Sequence, residues 1–289
     1  MPCIDKIYSV SVLVGSDQCN GNCSFCSGRY LRDQAQSDGD VPRNLDAALR
    51  LSSKYGGWSV SITSSGEPTL SPNSITNVLK TMRDLRSEGV SFPFVNLFTN
   101  GITMADDEFV DKWLPLWKDL GLTAIAVSVH GVDEQKQAEA YGLKHYPSFH
   151  KIFDNIRRHG LVPRATLLLR KGGVDDAVEY ERACDRLIDH YGLKMITSWP
   201  LAKPDGSRAS FTPSRLGLLG IRWWLFRNAK RVLGHAWGGS VYDYRGRSVR
   251  MTSYVSKHKP NATFIRQLVV FQDGRVAYSW FQEGAYCIA

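Results

Sequence analysis

Three cysteines near the start of the chain have the spacing of a metal-binding loop. Cys19, Cys23 and Cys26 are separated by three and then two residues, and they follow an apolar segment, 7–14, that is typical of a β-strand. Thiolates are soft ligands that suit iron–sulfur clusters and zinc. An all-cysteine zinc site or a fully ligated cluster needs a fourth ligand, and none lies nearby in the sequence. The spacing therefore predicts an iron–sulfur cluster with one iron left open.

This cysteine spacing, with the aromatic Phe25 before the third thiol, resembles the motif of the radical S-adenosylmethionine (SAM) enzymes. Three further motifs follow in the order that the family shows: Ser65-Gly66-Glu67-Pro68, Thr99-Asn100-Gly101 and Ser128-Val129-His130. The resemblance covers roughly residues 5–200. It implies a [4Fe–4S] cluster held by three thiolates, SAM bound at the fourth iron, and reductive cleavage of SAM to a 5′-deoxyadenosyl radical.

The resemblance also implies which residues bind SAM. The segment 65–68 resembles the family's Gly-Gly-Glu-Pro element, whose backbone and acid hold the methionine ammonium group, although Ser65 replaces the first glycine. Asn100 and Ser128 correspond to strand-end residues that meet the ribose or carboxylate of SAM. His130 follows Ser128 by two residues and would point to the same side. A structural histidine is the alternative for His130.

Two more residues, Arg170 and Trp199, complete the predicted SAM site. Arg170 follows the fifth predicted strand, where it is placed to pair with the SAM carboxylate or with an anionic substrate. A surface cation is the alternative for Arg170. Trp199 lies at the end of the sixth predicted strand, where the family often cradles adenine.

The elements that must position these residues alternate regularly between strands and helices. Six strands are predicted, at 7–14, 58–63, 94–98, 123–129, 164–169 and 194–198. Helices are predicted between them, at 44–55, 73–88, 106–120, 147–159 and 175–191. Consecutive strand–helix pairs favour a parallel sheet, and active sites of α/β barrels lie at the carboxyl ends of the strands. The family resemblance implies an α/β fold with a partial (β/α)6 TIM-like barrel in residues 1–200.

The pattern changes after Pro200, so residues 201–289 are predicted to form a C-terminal α+β extension that covers the barrel opening. A helix is predicted at 214–233. Asp273-Gly274 between alternating segments predicts a β-hairpin. Near the end, Tyr286 or Cys287 could donate a hydrogen atom to a substrate radical, and an inert terminal thiol is the alternative for Cys287.

The positive charge is concentrated in one part of this extension. The chain has a net charge of +8, and residues 222–259 hold nine basic residues and one acid, so this segment alone accounts for +8. Trp223, Trp224, Trp237, Tyr242 and Tyr244 lie among these residues. Basic and aromatic side chains together suit phosphates and bases, so the expected partners are an anionic small molecule, a nucleotide or nucleic acid. A solvated basic face over core tryptophans is the alternative.

Composition excludes several classes of protein. Apolar residues make up 43% of the 289 residues and charged residues 22%, which allows a sizeable core and does not indicate disorder. No run is long enough to span a membrane, and no signal peptide is recognisable. Six scattered cysteines in a chain of this length do not indicate a disulfide scaffold. A cytoplasmic protein in a reducing compartment, without a membrane partner, is therefore expected.

Three functions are compatible with these patterns. The first is a radical SAM enzyme that abstracts a hydrogen atom from an anionic substrate and takes electrons from a donor such as flavodoxin or ferredoxin. The second keeps this chemistry but modifies a peptide or protein side chain; the absence of a cysteine-rich extension weighs against it. The third is a zinc-stabilised nucleic-acid-binding module without SAM chemistry.

Overall fold

The computed structural model describes residues 4–26, 28–29, 37–203, 207–236, 239–252 and 263–280. The strands are β1 (Lys6–Ile7), β2 (Ser9–Leu13), β3 (Ser59–Thr63), β4 (Phe94–Thr99), β5 (Ala124–Val129), β6 (Val162–Leu169), β7 (Met195–Pro200), β8 (Lys230–Ala236), β9 (Gly239–Tyr244), β10 (Arg247–Thr252), β11 (Phe264–Ile265), β12 (Leu268–Val270) and β13 (Val276–Ala277). The helices are α1 (Leu45–Lys54), α2 (Pro72–Arg86), α3 (Asp107–Asp119), α4 (Glu134–Tyr141), α5 (Phe149–Arg158), α6 (Ala177–Asp185) and α7 (Arg215–Asn228).

One large sheet organises the described part of the chain. Strands β2 to β7 lie side by side in sequence order, and each pairs in parallel with the next. The predicted α/β fold with a parallel sheet is thus confirmed, and all six predicted strands are present. Strands from the C-terminal part extend both edges: β12 pairs in parallel with β2, and β10 with β7. The antiparallel strands β13, β9 and β8 lie beyond them.

The two flanks of this parallel array also contact each other. Arg266 precedes β12, and its Nη2 donates a hydrogen bond of 2.9 Å to Oγ1 of Thr252, the last residue of β10. Segments at opposite ends of the parallel array are therefore joined by a side-chain hydrogen bond. Covering of the barrel opening by residues 201–289 stays a prediction, which this contact supports.

The two faces of the sheet differ sharply in chemistry. One face packs on the helices and is apolar; its residues include Val12, Ile62, Leu97, Val127, Ala165, Ile196 and Val249, all nearly inaccessible to solvent. Along each strand, successive side chains point alternately to this face and to the opposite, inner face. It carries Ser11, Ser61, Asn96, Ser128, Arg164, Thr166, Thr197 and Arg250, which follow one another through the strand registers. Many of these side chains are only partly buried. The interior is therefore polar, unlike the branched apolar layers that fill a TIM barrel.

Several helix boundaries differ from the prediction for local reasons. Helix α4 was not predicted, although Asp133 caps its start by accepting a hydrogen bond from Lys136 N, and Gly142 ends it with φ of +62°. Helix α7 ends at Asn228 rather than near residue 233, because the chain enters β8 at Lys230. Pro115 lies inside α3, which continues to Asp119.

The aromatic residues of the C-terminal part divide between core and surface. Trp224 and Tyr244 are buried, and their rings meet edge to face at 4.9 Å. Trp223 and Phe226 lie on the exposed side of α7. No helix among the described residues is both long and apolar enough to cross a membrane.

Candidate active site

The cysteine loop lies at the carboxyl end of β2 and packs against α4. Asn22 N donates a hydrogen bond to the carbonyl oxygen of Tyr141, at 2.7 Å. A Cβ on Gly21 would lie 2.9 Å from Cδ1 of Tyr141, so glycine allows the loop backbone to approach this ring closely. The helix that the sequence pattern did not predict thus holds the loop in place.

The three thiols influence one another electrostatically. Burial, together with the nearby thiols of Cys26 and Cys19, raises the pKa of Cys23 to about 12. The pKa of Cys19 is also raised, mainly by burial. Cys19 is exposed as a whole residue although protein atoms around its thiol desolvate it, whereas Cys23 and Cys26 are partly buried. Among the described residues, no three histidine, cysteine or carboxylate side chains are arranged around a point that could hold a single metal ion. Because Cys19 and Cys26 both act on the pKa of Cys23, the three thiols lie near one another.

Two glycines bring the loop after β3 close to the cysteine loop. A Cβ on Gly66 would lie 2.1 Å from the carbonyl oxygen of Gln18. A Cβ on Gly28 would lie 2.0 Å from the carbonyl oxygen of Ser65 and 3.4 Å from Sγ of Cys26. Only residues without a side chain fit at these contacts. The backbone of the predicted SAM motif therefore lies directly beside the thiols.

Ser65, the departure from the family's glycine, faces the C-terminal part of the chain. Its hydroxyl lies 3.2 Å from Nε2 of Gln272, which is fully buried and also donates to the carbonyl oxygen of Gly15 at 2.7 Å. Gln272 precedes the predicted Asp-Gly turn and had no signal of its own in the sequence. The Ser65 side chain thus ties the motif to the C-terminal hairpin.

Glu67 is buried and accepts hydrogen bonds from two neighbouring strand ends. Its Oε1 accepts from Thr69 N at 3.1 Å, from Thr69 Oγ1 at 2.7 Å and from Thr99 Oγ1 at 2.6 Å. Its Oε2 accepts from Asn100 N at 2.7 Å. Burial raises the pKa of Glu67, and these hydrogen bonds oppose the shift. The carboxyl group therefore joins the loops after β3 and β4.

Asn100 connects this network to the cluster loop. Its Nδ2 donates to Oδ1 of Asn20 at 2.5 Å and lies 3.8 Å from Sγ of Cys19. Its carbonyl oxygen accepts a hydrogen bond of 2.6 Å from the hydroxyl of Tyr146. Gly101 follows with φ of +85°, a left-handed conformation that turns the chain here. Asn100 thus contacts a predicted cluster ligand and is itself held from two sides.

The aromatic ring of Phe25 contacts two other predicted site residues, His130 and Arg170. Its ring centroid lies 4.9 Å from that of His130, and the Arg170 guanidinium lies 5.4 Å from it. Phe211 lies 6.1 Å away on another side. The loop after β2 is therefore packed on the ends of β5 and β6.

Gln137 on α4 supports the end of β5. The sequence pattern did not predict it as a site residue. Its Oε1 accepts from the backbone N–H groups of His130 at 2.8 Å and Gly131 at 3.2 Å, and its Nε2 donates to Ser128 O at 2.7 Å. It is fully buried. The capping residues Asp133 and Gly142 were the signal that could have found this helix.

His130 is neutral in the folded protein because burial lowers its pKa to about 3, with a smaller effect from the Arg170 charge. An unfolded histidine takes up a proton near pH 6.5, so the free energy of unfolding should fall as the pH drops from 6.5 towards 3. At pH 5 the loss relative to neutral pH should be about 2 kcal/mol larger in the wild type than in His130→Gln. Urea denaturation at a series of pH values measures this difference. His145→Gln, at an exposed histidine, is the control and should keep the wild-type pH dependence; equal slopes for all three proteins would contradict the assignment.

Three buried polar atoms at the carboxyl ends of β5, β6 and β7 have no hydrogen-bond partner among the described residues: His130 Nδ1, Arg170 Nε and Trp199 Nε1. Trp199 lies near Phe98 of β4, with 6.4 Å between ring centroids and 29° between the planes. Buried polar atoms are normally satisfied. Donors and a neutral histidine fit a ligand that offers carboxylate, hydroxyl and ring-nitrogen acceptors, as SAM does. These residues therefore fit the cofactor that the sequence predicts.

The remaining predictions have different outcomes. Tyr286 and Cys287, the predicted hydrogen-atom donors, lie outside the described residues, as does Trp237. The described residues of the basic segment lie on different surfaces: Arg245 pairs with Asp185 and Asp189, while Arg250 lies on the inner face of the sheet.

Sequence and structure comparisons identify the relatives of the chain. Residues 13–179 match the family model of the radical SAM superfamily. No curated protein matches the sequence significantly. Among solved structures, Streptococcus suis SuiB bound to S-adenosylmethionine is similar with a TM-score of 0.57 and 13% identity, over 95% of this chain and 58% of that one.

Two further structures have the same fold. A radical SAM methyltransferase from Sphaerobacter thermophilus has a TM-score of 0.58 and 18% identity, over 85% of this chain and 65% of that one. Native anSMEcpe with bound AdoMet has a TM-score of 0.58 and 14% identity, over 95% and 74%. The chain thus spans less than two thirds of the length of the first two. Because the family model covers more than half of the sequence, this protein belongs to the radical SAM superfamily and is an enzyme.

Proposed function

We propose that Cys19, Cys23 and Cys26 hold a [4Fe–4S] cluster and that SAM binds beside it, at the carboxyl ends of the parallel strands. The bound cluster and SAM supply a 5′-deoxyadenosyl radical that removes a hydrogen atom from the substrate. The observation that carries this proposal is a set of buried polar atoms at the carboxyl ends of β5, β6 and β7, at the same rim as the three thiols, which have no hydrogen-bond partner in the part of the chain that the structure describes. The family membership supports it.

The residues around the thiols have separate tasks in this proposal. The backbone at Gly66 faces the methionine end of SAM, since the Ser65 side chain is occupied by Gln272. Glu67 acts as a positioning residue, because its oxygens hold Thr99 and the backbone of Asn100. Pro68 begins a short 3-10 turn after Glu67 and fixes the direction of the loop. Asn100 orients Cys19 through its side-chain amide.

The strand ends opposite these loops bind the rest of the cofactor. Arg170 and Trp199 can only donate hydrogen bonds from their nitrogens, so they suit the carboxylate, ribose or adenine acceptors of SAM. Neutral His130 can accept or donate at Nδ1, depending on its tautomer. The partly buried Ser128 precedes His130 by two residues, so the two side chains point to the same side. Phe25 keeps His130 and Arg170 in place by ring contacts.

The third function considered from the sequence, a zinc-stabilised module without SAM chemistry, is not supported, because the chain belongs to an enzyme family. The substrate in our proposal is anionic, and a low-potential electron donor such as flavodoxin or ferredoxin supplies the electron. The second function considered from the sequence, modification of a peptide or protein side chain, would be shown if a peptide or protein proved to be the substrate.

Anaerobic reconstitution with iron, sulfide, SAM and dithionite tests the proposal. We expect a brown protein that binds about four iron atoms per chain, as a [4Fe–4S] cluster requires, and that forms 5′-deoxyadenosine and methionine. A reconstituted protein that binds iron and sulfide but never forms 5′-deoxyadenosine, with any reductant, would refute the assignment.

A further inference from the structure

The inner face of the sheet carries a group of arginines that the SAM site does not use. Arg164 lies on β6 and Arg250 on β10, and Arg266 lies just before β12. All three side chains are partly buried and retain some contact with solvent. Partial burial is unusual for arginine, which is mostly exposed in folded proteins.

Hydrogen bonds place two of these arginines around the third. Arg164 donates from Nη1 to Oδ1 of Asn96 at 2.7 Å and from Nη2 to Oγ1 of Thr197 at 3.4 Å. Thr197 is the register partner of Arg250. Arg266 donates to Thr252, two residues from Arg250 on the same face of β10. Arg250 therefore lies between the threonines that Arg164 and Arg266 contact.

The like charges act on one another. The pKa of Arg250 is lowered to about 10, first by burial and then by the charges of Arg266 and Arg164. Burial also lowers the pKa of Arg164 and of Arg266. Within the described part of the chain no carboxylate forms an ion pair with Arg164, which donates to the neutral side chains of Asn96 and Thr197. Three guanidinium groups this close together in a half-buried space attract an anion.

The position of the group relates it to the predicted radical chemistry. Thr197, level with Arg250, precedes Trp199 by two residues on β7. Two residues along a strand span about 7 Å, so the arginines lie one layer below the rim where SAM is proposed to bind. A substrate held there by one end would present its other end to the rim.

We propose that Arg164, Arg250 and Arg266 form an oxyanion pocket on the inner face of the sheet, which binds a carboxylate or phosphate group of the substrate. Guanidinium groups suit both anions through paired N–H donors. The polar residues beside them, Asn96, Thr197 and Thr252, complete a lining of donors and acceptors. The assignment of this pocket to the substrate rests on the proposed function, whereas anion binding itself does not.

Calorimetric titration of the reconstituted, SAM-loaded protein tests the pocket, with inorganic phosphate, pyrophosphate and malonate as probes at constant ionic strength. We expect at least one probe to bind at one site per chain. Arg250→Gln and Arg164→Gln should each weaken that binding about tenfold or more, because hydrogen bonds to charged groups are lost. Arg250→Lys should be weakened less than Arg250→Gln. The ratio of malonate to phosphate affinity shows whether a carboxylate or a phosphate is preferred.

Arg222→Gln is the matched control, since it removes an exposed arginine of the same basic segment. It should bind the probes as the wild type does; an equal loss in Arg222→Gln and Arg250→Gln would mean general charge attraction and would overturn the pocket. Should Arg250→Gln fail to fold, Arg164→Gln and Arg250→Lys carry the test. Absence of binding by every probe would also overturn it. Formation of 5′-deoxyadenosine is measured separately, so the pocket can fail while the proposed function stands, and the reverse.

Discussion

Replacing Cys19, Cys23 or Cys26 by alanine is expected to abolish formation of 5′-deoxyadenosine and to remove most of the bound iron and sulfide. Each thiolate holds one iron in the proposed cluster, and no other thiol among the described residues is near enough to replace it. Cys184, the remaining described cysteine, is fully buried against the helices. Changes to groups that merely support a metal ligand already cost roughly 10- to 100-fold, so loss of a ligand should exceed about a hundredfold.

The measurement combines iron and sulfide analysis with product formation, on protein reconstituted in parallel. Cys184→Ala is the matched control and should keep its iron and its activity. Circular dichroism of each variant shows whether the fold survives, because the loop also packs on α4 through Asn22. Full cluster content in two of the three loop variants would contradict the ligand assignment.

The sequence predicted well those features that local patterns encode. The six central strands alternate with helices at spacings that hydrophobic periodicity reveals. The cysteine loop and the motifs after β3, β4 and β5 lie where parallel strands end. Because parallel strands end at one edge of the sheet, residues far apart in sequence, such as Phe25, His130 and Arg170, could be placed together.

Contacts between distant segments could not be predicted in this way. Gln272 reaches Ser65 across 207 positions of sequence, and nothing around Gln272 marks it as part of a site. The contact between Arg266 and Thr252 depends on how far the sheet curves, which strand pattern does not encode. Helix α4 has only eight residues and weak amphipathicity, so periodicity did not reveal it. The clustering of basic residues in the sequence predicts one feature, whereas the described arginines of the segment are divided between the surface and the inner face of the sheet.

These distant contacts explain how the C-terminal part bears on the chemistry. The amide of Gln272 contacts both the predicted SAM motif, at Ser65, and the turn at Gly15 that leads into the cysteine loop. Arg266 brings a C-terminal cation to the inner face. Residues beyond position 200 thus supply support for the proposed cofactor site and charge for the proposed substrate pocket. We expect both to depend on correct docking of the hairpin β12–β13.

Glu67→Gln is expected to lower the free energy of unfolding by about 1–3 kcal/mol and to weaken SAM binding. The two carboxylate oxygens each face a backbone N–H that cannot turn away: Oε1 faces Thr69 N and Oε2 faces Asn100 N. Glutamine has one oxygen and one NH₂ group, so either orientation sets a donor against a donor in a buried site. SAM binding is weakened because the backbone of Asn100, whose side chain contacts Cys19, is no longer fixed by the Glu67 carboxylate.

Urea denaturation measures the stability of this variant, and equilibrium dialysis of the reconstituted protein measures SAM affinity. Glu88→Gln is the matched control: it makes the same change at an exposed carboxylate that pairs with Arg50. An exposed ion pair contributes little, so the control should unfold and bind SAM as the wild type does. If Glu67→Gln loses SAM affinity at unchanged stability, then the carboxylate contacts SAM directly, as the family motif implies. If neither quantity changes, the buried network does not position the site, and the role assigned to Glu67 is wrong.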